Sequence, residues 1–190
     1  VPGQRSVESA LAVHETGVSV LRVTQPLADS EDVIPDNINV TIDRLKETTD
    51  YFLVDLPFQP TSMTRSLLSR CELALIVSDY TTEALTGVKS TINVLRFLGI
   101  PLKRIGAVVT DPLGTFSQKE LSSIKSYIEP NIAVSIWGIM PYAAVLSGNQ
   151  ATIINNDKCP MTDAIKELAQ RIIASEVSGD GISRSVVRKA

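Results

Sequence analysis

Along this chain, short runs of consecutive apolar residues alternate with longer stretches in which apolar residues recur every three or four positions. Runs of the first kind predict strands, and stretches of the second kind predict amphipathic helices. The predicted strands are 18–24 (VSVLRVT), 51–56 (YFLVDL), 73–78 (LALIVS), 105–110 (IGAVVT) and 133–139 (AVSIWGI). The first predicted helix is 6–15, with Val7, Leu11 and Val13 apolar and Gly17 as its stop. The next starts at Pro35, a good first-turn residue, and runs to 48 with Ile38, Ile42 and Leu45 on one stripe. Further helices are predicted at 61–71, 81–98, 117–127, 142–147 and 160–176. Gly99 and Pro101 stop the 81–98 helix, and Ser117 with Glu120 forms a capping box for 117–127. In 160–176, Ile165, Leu168, Ala169 and Ile172 are in register.

Strands 51–56 and 73–78 are apolar without alternation, which implies burial on both faces. Strand and helix in regular succession predict an open α/β layer fold, with a mostly parallel twisted sheet and helices on both faces. Residues 177–190 depart from the pattern and read as a frayed tail carrying Arg184, Arg188 and Lys189.

Composition narrows the functional classes. The chain has 190 residues, enough for one domain with a sizeable core. An apolar fraction of 44% with 21% charged residues argues against wholesale disorder. A net charge of -3 disfavours a general nucleic-acid coat. No apolar run reaches the roughly 18–20 residues needed to cross a bilayer, and the first residues lack the apolar core of a secretory signal. Cys71 and Cys159 stand far apart in sequence, and neither has Cys or His at metal-ligand spacing, so both read as buried or half-buried thiols of a reducing cytoplasm. The single histidine, His14, reads as a surface helix residue.

In open parallel sheets, ligands bind at the carboxyl ends of the strands. Asp55 ends one predicted strand in the pattern FLVD. It suits a carboxylate that holds hydrated Mg²⁺ beside a nucleotide phosphate, and equally one that caps the following turn. Asp79 and Asp111 follow the next two strands and read as N-caps or loop carboxylates. Pro57, Pro60, Pro112 and Pro141 stiffen the same rim. The sequence contains no Gly-x-x-x-x-Gly-Lys-Ser/Thr loop, no Gly-x-Gly-x-x-Gly and no Gly-x-Ser-x-Gly elbow. Gly87-Val88-Lys89-Ser90 imitates the end of the first motif, but Thr82 stands where the upstream glycine belongs. One histidine leaves little from which to build a Ser/His/Asp triad.

Residues 50–57 (DYFLVDLP) resemble the "DYVVVDLP" stretch of the MinD/ParA family of deviant P-loop ATPases. Further segments resemble that family in its order: 15–21 (ETGVSVL), the acidic pair Glu31-Asp32, 64–77 (TRSLLSRCELALIV), 95–104 (LRFLGIPLKR) and 139–142 (IMPY). The combination is most similar to the pilus-assembly branch, CpaE and TadZ, over about residues 5–175. This resemblance implies a P-loop NTPase-like fold of the SIMIBI class, with ATP and Mg²⁺ as ligands. It places residues 1–176 as the carboxyl-terminal part of the ATPase domain, the phosphate-binding loop preceding Val1, and 177–190 as a flexible tail. Asp55 then takes the Walker B position at the metal, through water, and Pro141 and Tyr142 shape the base pocket. Thr110 and Asp111 stand where the family has Asn-Arg, whose Asn reads the adenine edge, and Ala143 stands where it has Asp or Arg.

Two functions follow from the resemblance. The first is an ATP-dependent localisation or partitioning switch in the cytoplasm, acting as a homodimer on a pilus, secretion or cell-pole partner. Hydrolysis is expected only where the full-length protein carries the phosphate-binding loop. The second is a non-hydrolysing scaffold of the same fold, favoured by Thr110-Asp111. No specific nucleic acid is expected, and the tail is too short and too weakly apolar to anchor a membrane alone.

Overall fold

The computed structural model describes residues 11–21, 35–56, 61–142 and 159–177. The predicted helix 142–147 beyond Tyr142, the tail beyond Val177 and the outer parts of helix 6–15 and strand 18–24 lie outside the described residues. The chain divides into two compact units, residues 1–66 and 67–190.

In the first unit, β1 (Ala12–Val13) and β2 (Ser19–Val20) pair as an antiparallel hairpin. The helix expected over 6–15 is therefore replaced, from Ala12 on, by a strand and a turn. His14 N–H donates to Val18 O at 2.8 Å, and Gly17 N–H returns to His14 O at 2.9 Å. Gly17 sits at φ +87°, the left-handed conformation that lets so short a connection close. His14 is exposed, as expected, but in this turn, where its Nδ1 lies 2.9 Å from Thr16 Oγ1.

The first helix, α1 (Pro35–Lys46), forms as predicted, with Ile42 and Leu45 buried. The hydroxyls of Thr48 and Thr49 close its end by donating to Leu45 O, at 3.2 and 2.8 Å. A second helix, α2 (Ser62–Ser69), begins where Thr61 Oγ1 accepts the Thr64 amide at 3.1 Å. Ser66 on α2 donates to Asn39 Oδ1 on α1.

Segment 51–56 corrects the sequence reading: it is irregular, not a buried strand. It shares no ladder with another strand among the described residues, and Leu53 is 89% exposed. An apolar run specifies a desire for burial, and only a hydrogen-bonded neighbour turns it into a strand.

The second unit contains a parallel three-stranded sheet in the order β3 (Ala74–Asp79), β4 (Ile105–Thr110), β5 (Ser135–Met140). The central strand, β4, is buried over all but its last residue, as its uninterrupted apolar sequence demands. Helix α3 (Thr82–Phe97) follows β3, a 3₁₀ turn (Leu102–Arg104) leads into β4, α4 (Gln118–Ile132) follows β4, and α5 (Pro160–Val177) comes last. Gly87 to Ser90 lie inside α3 with Val88 buried, so they form no phosphate loop.

Ile105, Ala107 and Val109 of β4 share one core with Val88, Ile92 and Leu95 of α3 and Ile128 and Ile132 of α4. A β-bulge then re-aims β5. Ala107 pairs with Ile136 but Val108 with Gly138, leaving Trp137 as the extra residue. Ile136 and Ile139 consequently both face the α3/α4 core, while Gly138 lies beside Leu168 of α5. Helices therefore cover both faces of the sheet. Trp137 sits over Gly106, where an added Cβ would lie 2.3 Å from its ring. The Arg171 guanidinium stacks 5.0 Å from the Trp137 centroid and donates to Ile136 O at 2.6 Å.

Helix α4 runs five residues beyond the expected end at 127 and carries Pro130 within it. Ile128 and Ile132, each 2% exposed, flank that proline on the core face. Their burial outweighs the one amide bond that proline removes.

Candidate functional site

The three parallel strands end level with one another. Asp79 pairs with Thr110, and Thr110 with Met140. The Asp111 amide extends the β4–β5 ladder by one bond, donating to Met140 O at 2.9 Å. Thr110 and Asp111 are thus fixed beside Pro141 and Tyr142 at the carboxyl edge of the sheet, where ligands of open parallel sheets bind.

The chemistry of each group follows from its bonds. The Thr110 hydroxyl donates to Ser78 O at 3.3 Å, which commits its proton inward and leaves its oxygen as an acceptor. Asp111 is 3% exposed. Its Oδ1 accepts the Thr115 amide at 3.2 Å and the Thr115 hydroxyl at 3.3 Å, and its Oδ2 accepts the Phe116 amide at 3.1 Å. Desolvation pushes this carboxyl up, but the amides of Phe116, Thr115 and Gly114 and the Thr115 hydroxyl together hold it below the usual carboxylate range. Asp111 is therefore an ionised anchor for the loop 111–117.

Asp79 has a different task. Its Oδ1 accepts the Thr81 hydroxyl at 2.6 Å and the Thr81 amide at 2.8 Å, and these bonds hold its carboxyl below the usual range. Thr81 in turn accepts the Ala84 amide and caps α3. Ser117 and Glu120 form the capping box of α4 that the sequence predicts.

Two contacts that the sequence did not single out complete the rim. Tyr80 Oη and Thr115 Oγ1 lie 2.5 Å apart, and the Tyr80 and Phe116 rings meet edge-on at 4.3 Å. Gly114 has φ +66°, and a Cβ there would lie 2.9 Å from Tyr142 Cδ1. The Tyr142 ring thus rests on the backbone of the loop and stays 48% exposed. The signal for this loop was present: Asp-Pro-x-Gly after a strand is a turn sequence. Tyr80 carried no such signal. Beside the rim, Tyr80 and Phe116 line a groove of about 680 Å³ with Ile124, Tyr127 and Ile128 of α4.

Four of the five candidate residues, Thr110, Asp111, Pro141 and Tyr142, therefore share one edge of the second unit. Asp55 belongs to the first unit, exposed near the end of segment 51–56. Among the described residues, no cluster of three or more His, Cys, Asp or Glu is arranged to hold a metal ion. Cys71 is a neutral thiol, because burial raises its pKa more than the nearby Arg104 lowers it. No helix among the described residues is long and apolar enough to cross a membrane.

An adenine nucleotide needs a flat apolar wall and an acceptor for its exocyclic amine. The Tyr142 ring and the Thr110 oxygen fit those needs; the Asp111 carboxylate does not, since its bonds are made within its own loop.

This parallel sheet with helices on both faces matches the P-loop NTPase-like α/β fold of solved MinD and ParA proteins. Among solved structures, the chain is similar to the MinD cell division protein of Aquifex aeolicus, with a TM-score of 0.68 and 21% identity over 100% of this chain and 75% of that one. It is similar to the same organism's MinC:MinD cell division protein complex, with a TM-score of 0.69 and 21% identity over 99% of this chain and 73% of that one. A ParA family ATPase from Chlorobium tepidum TLS gives a TM-score of 0.68 and 15% identity over 87% of this chain and 68% of that one. No protein-family model and no curated protein sequence matches the chain.

Proposed function

We propose that this chain works as a nucleotide-dependent localisation or partitioning switch of the MinD/ParA type, with ATP and Mg²⁺ as ligands, and that it positions a pilus-assembly or secretion machine. The observation that carries this reading is the contact of Tyr142 with Gly114 beside Thr110. An exposed aromatic ring and an acceptor oxygen, both at the carboxyl edge of the parallel sheet, support this reading. The fold shared with MinD and ParA ATPases supports the same reading.

In this function each residue has a defined task. Tyr142 and Pro141 wall the base. The Thr110 oxygen accepts from an amino group, which favours adenine over a base presenting a carbonyl there. Asp111 holds the loop 111–117 in place by its buried bonds. Asp55 is the carboxylate offered to hydrated Mg²⁺. That ion, when bound, neutralises phosphate charge during transfer. A homodimer and a protein partner complete the switch; one of the similar structures is itself a complex of MinD with MinC.

A second reading is a non-hydrolysing scaffold of the same fold. Its specific support is that the Thr110 proton and the whole Asp111 carboxylate are bonded inside the protein. Calorimetry with Mg·ATP, on the longest native chain that contains this segment, separates the two. The switch predicts micromolar binding that weakens in Tyr142→Ala, and turnover that is lost in Asp55→Ala. Absence of binding by the folded chain rejects the switch and leaves the scaffold.

A further inference from the structure

The turn after β3 and the loop after β4 are joined by one side-chain bond spanning 35 residues of sequence, between Tyr80 and Thr115. Its direction is fixed by what lies beyond it. The Asp111 carboxylate is ionised and can only accept, so the Thr115 hydroxyl donates to Asp111 Oδ1. The Thr115 oxygen then accepts from the Tyr80 hydroxyl. A relay therefore runs from Tyr80 through Thr115 to Asp111, and ending on a charge strengthens it.

The relay gives the loop a second point of attachment besides its own anchor. Asp111 binds Thr115 and Phe116 from within the loop, whereas Tyr80 reaches them from the turn after β3, through its hydroxyl and through the edge-on contact with Phe116. Gly114, the neighbour of Thr115, is the backbone on which Tyr142 rests. We infer that Tyr80 is a positioning residue for the base side of the site: it fixes the loop 111–117, and through Gly114 it fixes the Tyr142 wall. This inference rests on the nucleotide reading above for its ligand and on the hydrogen bonds alone for its mechanics.

The test uses the longest native chain that contains these 190 residues, with the variants Tyr80→Phe, Thr115→Val and Thr115→Ser. The first readout is amide hydrogen exchange without nucleotide. Tyr80→Phe is expected to speed exchange at the Thr115 and Phe116 amides about two- to tenfold, the loss of one hydrogen bond. The Asp111 amide, held by Met140 O, keeps its rate. The second readout compares Mg·ATP with Mg·tripolyphosphate, which has no base. Tyr80→Phe weakens ATP by a similar factor and leaves tripolyphosphate unchanged. Thr115→Val reproduces the effect, and Thr115→Ser, which keeps the hydroxyl, restores both readouts. Unchanged exchange in Tyr80→Phe, or equal losses for the two ligands, overturns the inference. A parent chain that binds no ATP refutes the nucleotide reading by itself, and the exchange comparison then decides whether Tyr80 holds the loop.

Discussion

The Phe116 amide donates to Asp111 Oδ2 at 3.1 Å, from across a turn whose anchoring carboxylate is 97% shielded from solvent. One side chain thereby satisfies the backbone of a loop that has no ladder of its own. Removing it in Asp111→Ala leaves the Thr115 and Phe116 amides without their acceptor. The expected cost is about 1–3 kcal/mol, measured by denaturant unfolding, with faster exchange confined to those amides.

The same carboxylate gives the protein an acid limit. Asp111, Asp79 and Glu120 all have folded pKa values below their ordinary ones. Their stabilisation is therefore complete above the unfolded values near pH 4 and is lost as pH falls through the lower folded values. Melting temperature should fall as pH drops below about 4, and Asp111→Asn, which cannot titrate, should flatten that fall. An unchanged slope in the variant would contradict the assignment.

Gly106 and Trp137 test the bulge in β5. A methyl at Gly106 would lie 2.3 Å from Cδ1 of a ring held between Gly106 and Arg171. Gly106→Ala is expected to cost about 1–3 kcal/mol through overpacking and to shift the emission of the single tryptophan. Native stability with unchanged emission would show that the ring lies elsewhere.

Much of the second unit was legible because its local signals agree. In β4 the apolar run, the flanking prolines and the parallel neighbours all demand the same buried strand, and Ser117–Glu120 forms the capping box that its spacing announces. Segment 51–56 was misread because burial on two faces depends on neighbours that an apolar sequence cannot name. The hairpin at residues 12–20 was misread because Gly17 ends a helix and closes a tight turn by the same positive φ. At the rim, Thr110, Asp111, Pro141 and Tyr142 were recognisable as strand-end residues. The Tyr80–Thr115 bond was not, since long-range pairing of two hydroxyls leaves no periodic trace.

The exposed segment 51–56 makes a prediction about assembly. Leu53 is 89% exposed and Tyr51 and Val54 are also exposed, within an irregular apolar run that forms no ladder with the described strands. Such a run invites pairing with another chain. Light scattering of the 190-residue chain should show self-association that Leu53→Lys reduces. A monodisperse monomer would contradict this.

Gly114 offers a direct probe of the wall. Gly114→Ala places a side chain at φ +66° against Tyr142 and is expected to cost about 1 kcal/mol or more. It should also weaken Mg·ATP more than Mg·tripolyphosphate, since only the base would meet the displaced ring.

In the proposed function the carboxyl edge of β4 and β5 receives the base of a nucleotide. Backbone amide chemical shifts of the longest native chain that contains this segment, recorded while Mg·ATP is added, give the sharpest test. Saturable shifts are expected at Thr110, Asp111, Gly114, Thr115 and Tyr142, and at Asp55 beside the ion, with little change along α5. Shifts confined to segments other than these, or none at millimolar ATP, would contradict it.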